Sequence, residues 1–206
     1  MGIPRTRRPR RLAALSLSMA LLGALCIAVR SAPAPAAALA HRPRAADAGS
    51  PTLRRPFWIY AHGRFRWAGD FSYSAHISYT DRSGHAPGGF SDIAVSLTGP
   101  WGAWQPYAQR FSFDSRPYRS LTFALKPTVA HQRWSCQFVK IGDVPVGISV
   151  NVARYGPAPV AGRWATYTIP LSALGVADTS IYKFAIQDQT GRSRNTWYVN
   201  RVGFLR

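Results

Sequence analysis

The run Lys183-Phe184-Ala185-Ile186-Gln187 alternates between two kinds of side chain. Successive side chains of a β-strand point to opposite faces, so Phe184 and Ile186 would share one face and the other three residues the opposite face. The run Ser120-Leu121-Thr122-Phe123-Ala124-Leu125 repeats the pattern, with a large apolar residue at every second position. This alternation predicts antiparallel strands with one side packed and the other side facing water.

Further runs of strand-forming residues flank these two and are separated by turns rich in Gly, Pro, Asp and Ser. Order is expected to begin at Phe57, and the one predicted helical turn is Pro170–Leu174, which is too short to form a layer. About nine short strands within residues 57–206 predict an all-β domain, a two-sheet antiparallel sandwich of the jelly-roll type. The clearest predicted strands are Asp92–Leu97, Tyr107–Phe113, Ser120–Lys126, Ser135–Ile141, Gly147–Ala153, Arg163–Ile169, Ile181–Asp188 and Trp197–Leu205.

The composition supports a compact β domain. Of the 206 residues 47% are hydrophobic and 13% aromatic, which argues against disorder. The chain contains no Glu and only three Lys, whereas a helical bundle would use both heavily. Its two cysteines, Cys26 and Cys136, are too few for a disulfide framework.

Residues 1–40 have the three parts of a secretory signal peptide. Five arginines precede residue 12, the run Leu12–Val29 carries no charge, and Ala38-Leu39-Ala40 resembles a cleavage site before His41. Eighteen uncharged residues also reach the lower limit for a membrane span, so the alternative is an uncleaved anchor helix. We therefore predict a secreted, periplasmic or envelope protein. Residues 41–56, rich in Ala, Pro and Arg, are predicted to be a flexible linker.

The second half of the chain resembles a known family. The run Gly162–Gly175, GRWATYTIPLSALG, is similar to the G-x-W-x-x-Y-x-I-P-L-S-x-L-G run of galactose-binding-like jelly rolls, which are typified by the carbohydrate-binding modules of secreted bacterial glycosidases. Ile186–Gly191 and Trp197–Phe204 resemble the I-Q-D-x-T-G and closing-strand motifs of that family. Asp70–Tyr73 is similar to its D-W-S-W. The resemblance implies a galactose-binding-like fold over about residues 57–206 and, less directly, a carbohydrate-binding role.

One departure from the family concerns a metal. Relatives often hold a structural Ca²⁺ with acidic residues of the closing strand, and the matching positions here are Asn200 and Arg201. Calcium prefers several oxygen ligands that include carboxylates. We therefore expect no calcium at this position and no other cofactor.

Catalytic residues are hard to find in the sequence. Glycoside hydrolysis needs two acids that flank the scissile bond, and of the eight Asp only Asp70 and Asp188 lie within motif blocks. A structural role for both, tying loops to strand ends, is the favoured interpretation. The only thiol outside the signal segment, Cys136, is expected to be a small buried residue. We predict that the protein is not an enzyme, with a small polysaccharide lyase or hydrolase as a remote alternative.

Binding has better support, because sugar rings stack on exposed aromatic side chains while polar groups bond their hydroxyls. The segment Gly99–Arg110 has this composition, although its two tryptophans could instead cap the core. Tyr73 matches an aromatic position of the family, and Lys183 and Gln187 lie on the polar side of their strand. The predicted ligand-binding residues are Asp70, Tyr73, Trp101, Trp104, Tyr107, Arg110, Lys183, Gln187 and Asp188. The leading hypothesis is a non-catalytic module that binds polysaccharide or a cell-surface glycan.

Charge supports a second hypothesis. Residues 41–206 carry 20 Lys and Arg against eight Asp, a net charge of +12. Such an excess could hold an envelope-associated structural protein to anionic polymers. The arginines are dispersed along the strands, so we do not expect a specific nucleic-acid site. Contact with a membrane is expected only through residues 1–40, if they remain uncleaved.

Overall fold

The computed structural model describes residues 55–206. The predicted signal peptide and nearly all of the predicted linker therefore lie outside the described residues. No helix within residues 55–206 has the length and hydropathy needed to cross a membrane.

The described residues are almost entirely β-strands joined by turns. Two short 3₁₀ helices, Gln109–Phe111 and Val152–Tyr155, accompany the strands. The strands are β1 (Phe57–Ala61), β2 (Arg64–Phe65), β3 (Gly69–Asp70), β4 (Ala75–Asp81), β5 (Asp92–Leu97), β6 (Ala103–Trp104), β7 (Pro106–Tyr107), β8 (Phe113–Asp114), β9 (Ser120–Pro127), β10 (Trp134–Lys140), β11 (Val144–Asn151), β12 (Ala165–Pro170), β13 (Ser180–Ile181), β14 (Lys183–Asp188) and β15 (Thr196–Leu205).

Two antiparallel sheets form the sandwich. In the seven-stranded sheet the path runs β12-β9-β15-β1-β2, and β5 and β4 continue it from the first half of β15. In the six-stranded sheet the path runs β11-β10-β14-β7-β3, with β6 also paired to β14. A small pair, β8 with β13, completes the fold. The predicted all-β, antiparallel jelly-roll sandwich is thus confirmed.

The core lies between the two sheets and follows the predicted alternation. Phe184 and Ile186 of β14 are fully buried, as are Leu121, Phe123 and Leu125 of β9. Trp197, which the sequence did not assign to a face, also packs in the core, because the irregularity in β15 begins only after Asn200. Large aromatic rings fill much of this core, packed among Ile, Leu and Val side chains.

The structure corrects one predicted strand. The run Tyr107–Phe113 is not continuous: β7 ends at Tyr107, a 3₁₀ helix follows, and β8 begins at Phe113. Arg110 has a φ of 56°, which is left-handed and incompatible with an extended strand. The predicted turn at Pro170–Leu174 is a single hydrogen-bonded turn, with the amides of Ala173 and Leu174 both bonded to the carbonyl of Pro170.

Candidate functional site: the outward face of the six-stranded sheet

The outward face of the six-stranded sheet carries polar side chains in alternate positions. In β10, Trp134, Cys136 and Phe138 point into the core, so the residues between them lie on the outward face. β14 pairs with β10 in register, with Gln187 opposite Ser135. A band of hydroxyl and amide groups therefore crosses the middle of this face.

A groove of about 650 Å³ occupies one part of the face. The turn between β10 and β11 and the segment after β3 form its sides, while β10 and β14 form its floor. It is lined by Phe71, Tyr73, Gln105, Gln137, Val139, Ile141, Gly142, Asp143, Tyr182 and Lys183. We call it the main groove.

Two aromatic rings of the main groove are open to solvent. Phe71 is 49% exposed and Tyr73 43% exposed, and their spacing of two residues places both on the same side of an extended segment. The ring of Phe71 stacks on that of Tyr107, with 4.6 Å between centroids and 28° between planes. Tyr107 thus fixes the orientation of Phe71.

The positive charge of Lys183, on the floor of the main groove, is neutralised by a nearby carboxylate. Lys183 is nearly fully buried, and its ammonium forms an ion pair with Asp143 in the turn between β10 and β11. The same nitrogen lies 4.9 Å from the centroid of the Phe71 ring and 5.4 Å from that of Tyr182. Cation–π contacts of this kind stabilise a buried ammonium. Lys183 therefore holds the turn and Phe71 in place.

A second groove, of about 320 Å³, lies on the same face. Trp101 forms one side of it and is 49% exposed. Trp101 has a φ of 60°, a left-handed conformation that is rare for a large side chain and that turns the indole away from the core. The groove is lined by Trp101, Arg133, Trp134, Ser135, Ser149, Val150, Asn151 and Gln189, and we call it the tryptophan groove.

Gln187 connects the two grooves. Its side-chain amide donates to the backbone carbonyl of Trp101 at 3.0 Å, and its side chain also bonds the hydroxyl of Tyr73. Burial raises the pKa of the Tyr73 hydroxyl, and the bond from Gln187 opposes that rise. The amide of Gln189 donates to Gln187 Oε1 at 3.0 Å and to Ser135 Oγ at 2.8 Å. The grooves thus share one hydrogen-bonded row of side chains.

The structure brings together four of the predicted site residues and places Tyr107 beside them. Tyr73 and Lys183 line the main groove, Trp101 lines the tryptophan groove, and Gln187 lies between. Arg110 is exposed on the 3₁₀ helix and lines neither groove. Its role as a ligand-binding residue remains a prediction.

The structure also corrects the prediction that Trp104 is a ligand-binding residue. The side chain is fully buried, with its ring edge-on to Phe184 at 5.8 Å between centroids. Its indole nitrogen donates to the hydroxyl of Tyr79 at 3.1 Å. Trp104 lies in β6, which pairs with β14 opposite Ile186, and the pairing directs both side chains into the core. It therefore offers no ring to a ligand and caps the core, the alternative considered above.

The two carboxylates singled out in the sequence hold loops. Asp70 accepts from the hydroxyl of Tyr79 at 2.7 Å and from the backbone amide of Ser72 at 3.2 Å. Asp188 is fully buried, accepts from the amide and hydroxyl of Thr190, and contacts Gln132. Because Asp188 has no exposed atoms, it cannot contact a ligand directly, and its prediction as a ligand-binding residue is corrected. Both acids fit the structural role favoured from sequence.

The position of the family's calcium does not fit a divalent cation. Asn200 Nδ2 donates to Asp92 Oδ1 at 2.8 Å, while Asn200 Oδ1 accepts from the backbone amide of Arg201 at 2.7 Å. The Lys126 ammonium donates to the carbonyl of Gly84 at 2.8 Å, and its charge partly opposes the rise that burial causes in the pKa of Asp92. Residues 55–206 contain no group of three or more His, Cys, Asp or Glu that could hold a metal. The loss of calcium at Asn200 and Arg201 remains a prediction.

Sequence reasoning missed several residues of this face. Phe71 could have been found from its spacing of two residues from Tyr73, and Gln137 from the alternation of β10. Asp143 carried no local signal, because its partner Lys183 is forty residues away in the sequence. Arg133, Gln105, Tyr182 and Gln189 were also not predicted.

Carbohydrate-binding modules are among the solved structures that have a similar fold. The family 30 carbohydrate-binding module of a cellulosomal cellulase of Clostridium thermocellum matches with a TM-score of 0.52 and 13% sequence identity, over 73% of this chain and 96% of that one. A mutant of a family 29 module complexed with cellulohexaose matches with a TM-score of 0.50 and 15% identity, over 73% of this chain and 89% of that one. No protein-family model matches the sequence, and no curated protein does. Residues 55–206 therefore have the jelly-roll β-sandwich fold of carbohydrate-binding modules.

Proposed function

We propose that residues 55–206 form a non-catalytic module that binds polysaccharide along the outward face of the six-stranded sheet. One observation carries the proposal. Three exposed rings, Phe71, Tyr73 and Trp101, border two grooves that a row of amide and hydroxyl side chains connects. The fold shared with carbohydrate-binding modules, one of them solved with cellulohexaose, supports this proposal.

The chemistry of the face suits a chain of sugars. The apolar C–H face of a pyranose would stack on an aromatic ring, and the amides of Gln105, Gln137 and Gln187 would bond its hydroxyls. The six residues of β14, Lys183–Asp188, extend about 20 Å, enough for several sugar units. A linear polymer is thus a better match to the face than a single monosaccharide.

Rigidity of the rings favours binding. Tyr107 and Lys183 hold Phe71, and Gln187 holds both Tyr73 and the backbone of Trp101. A side chain that is already fixed loses little conformational entropy when the ligand arrives. Binding by this face would therefore require little rearrangement.

Other functions receive less support. Hydrolysis would need two accessible acids, and Asp188 is buried while Cys136 is an inert buried thiol. Anchoring to anionic envelope polymers is favoured by charge: residues 55–206 contain three Lys and fourteen Arg against seven Asp, a net charge of +10. We propose a secreted or envelope location from the sequence of residues 1–40.

Titration calorimetry with soluble polysaccharides of several classes, neutral β-glucans among them, tests the proposal. Phe71→Ala and Trp101→Ala should each weaken binding about tenfold or more, since each variant loses buried apolar area and a stacking interaction worth about 0.5–1.5 kcal/mol in addition. Phe90→Ala is the matched control, because Phe90 is 44% exposed and lies in the loop between β4 and β5 of the other sheet. Equal effects of Phe71→Ala and Phe90→Ala, or binding unchanged by all three variants, would contradict the proposed face.

Binding measurements at high salt distinguish this proposal from non-specific attraction between charges. Binding to a neutral glucan should survive roughly 0.5 M salt, because stacking and hydrogen bonds between neutral groups are not screened. Attraction of the basic surface to an anionic polymer should collapse under the same condition. Loss of all binding at high salt would favour the anchoring alternative.

A further inference from the structure

We infer that the tryptophan groove recognises a carboxylate-bearing sugar, a uronic acid unit, within the polysaccharide bound by this face. The inference rests on the proposed function, since it assigns one end of the same face to an acidic residue of the ligand. Its basis is the difference in charge between the two grooves.

The tryptophan groove has a cation that no acid compensates. Arg133 is exposed, and the residues that line the groove with it include no carboxylate. Among residues 55–206 the ion pairs are Arg116 with Asp114 and Lys183 with Asp143, and neither involves Arg133. Asp188, the register partner of Trp134 in β10, is fully buried and accepts hydrogen bonds at both carboxylate oxygens. In the main groove, by contrast, Asp143 neutralises Lys183.

One short segment positions Arg133 and Trp101 together. The backbone amide of Gln189 donates to the carbonyl of Arg133 at 2.8 Å, and the Arg133 guanidinium reaches the carbonyl of Gln189 at 3.5 Å. Two residues later, Gly191 lies so close to the indole that a Cβ there would be 3.1 Å from Trp101 Cζ2. The guanidinium and the ring are thus held by opposite ends of residues 189–191.

The guanidinium has donors left for a ligand. A guanidinium carries five N–H donors, and within the described residues the Arg133 side chain makes one long hydrogen bond. Its fork of donors matches both oxygens of a carboxylate. A pyranose stacked on Trp101 carries its C5 carboxylate, in a uronic acid, at the edge of the ring. That edge would face Arg133, while Ser135, Ser149 and Asn151 would bond the hydroxyls.

Matched polymers test this inference. The probes are oligogalacturonate, its methyl ester, which has the same backbone without charge, and dextran sulfate as a non-carboxylate polyanion. We expect the wild-type protein to bind oligogalacturonate about tenfold or more tightly than the ester, in line with the strength of charge-assisted hydrogen bonds. Arg133→Gln should remove that preference, so that the variant binds oligogalacturonate and the ester with similar affinity.

A control variant and a control polymer distinguish a specific carboxylate site from non-specific charge attraction. Arg64→Gln is the matched control, because Arg64 is exposed on β2 of the other sheet and the substitution removes the same charge. An equal loss with Arg64→Gln, or equal affinity of the wild type for dextran sulfate, would overturn the assignment in favour of non-specific attraction. Unchanged preference in Arg133→Gln would also overturn it. In either case Phe71-dependent binding of neutral glucan would leave the proposed function standing, whereas failure of every polysaccharide to bind would remove both.

Discussion

The indole N–H of Trp104 donates to the hydroxyl of Tyr79, and the same hydroxyl donates to the carboxylate of Asp70. Asp70 in turn accepts from the amide of Ser72, between the two aromatic residues of the main groove. A buried tryptophan is therefore linked through three hydrogen bonds to the loop that carries Phe71 and Tyr73. The aromatic residues of this protein accordingly divide into rings that hold the sandwich together and rings that face solvent.

This division predicts opposite phenotypes for two tryptophans three residues apart. Trp104→Ala should lower the free energy of unfolding by about 3–5 kcal/mol, because it empties a large buried volume and leaves Tyr79 without a donor. Trp101→Ala should leave the free energy of unfolding within about 1 kcal/mol of wild type and should weaken glycan binding. Urea denaturation and calorimetry on both variants check this. Similar stability losses in the two variants would show that Trp101 is also a core residue.

The buried carboxyl of Asp92 leads us to expect that the free energy of unfolding depends on pH. Burial raises the pKa of the Asp92 carboxyl above its ordinary value, and the hydrogen bond from Asn200 only partly opposes that rise. The folded protein thus retains the proton at pH values where the unfolded chain has lost it. Stability from this group is therefore present at low pH and declines as pH rises from about 4 through the raised pKa.

The comparison is between wild type and Asp92→Asn, whose amide does not titrate. Urea denaturation across acidic to neutral pH should give a wild-type unfolding free energy that declines relative to that of the variant as pH increases. Subtraction of the two curves removes the contributions of all other titrating groups. A difference that is constant with pH, or that rises with pH, would contradict the buried position of this carboxyl.

Alanine substitutions at two glycines with left-handed backbone conformations test how closely β11 packs against the turn at Leu174. At Gly147, with a φ of 71°, a Cβ would overlap the carbonyl oxygen of Leu174. At Gly162, with a φ of 75°, a Cβ would have no neighbour within 4 Å. Gly162→Ala should therefore cost only the conformational penalty of about 1–2 kcal/mol, and Gly147→Ala about 1–3 kcal/mol more for the steric overlap.

Thermal denaturation of the two variants measures the difference directly, since the backbone penalty is shared. The amide of Ile148 donates to the same Leu174 carbonyl at 2.9 Å, so the overlap would also disturb a hydrogen bond of β11. Equal stability losses would indicate that β11 can move away from the Leu174 turn without cost.

The thiol of Cys136 should not react with thiol-specific reagents in the folded protein. Its side chain is fully buried, and burial raises the pKa of its thiol, so little thiolate is available to react. In a Cys26→Ser background, a thiol-specific reagent should label the protein only at the rate of unfolding. Added urea should accelerate labelling in step with loss of structure, and rapid labelling of the native protein would contradict the packing described for β10.

The fold was predictable because the sandwich is built from strands with one buried face. Alternation in β9 and β14 identified Phe123 and Phe184 as core residues, and both are fully buried. The break after Tyr107 escaped prediction, because the left-handed backbone at Arg110 has no signature in residue type. Residues other than Gly, Asn and Asp are expected to avoid that conformation.

The candidate site was predictable only where residue type and strand face coincide. The alternation of side chains along the strand was enough to assign Lys183 and Gln187 to its outward side, and the structure places both there. Trp101 and Trp104 are indistinguishable by type and lie in one Gly- and Pro-rich segment. Their separation into surface and core depends on the positive φ of Trp101 and on the pairing of β6 with β14. Both are consequences of tertiary contacts that local patterns do not encode.

Phe57 of β1 is the register partner of Phe204 of β15, so the first and last strands of the sandwich lie side by side in the seven-stranded sheet. Both termini of the folded region therefore leave from the sheet that does not carry the grooves. Immobilising the protein on a sensor chip through its carboxyl end would present the grooves to the flowing solution. The same geometry makes the domain suitable for circular permutation, because a short peptide could join the two ends without crossing the side that carries the grooves.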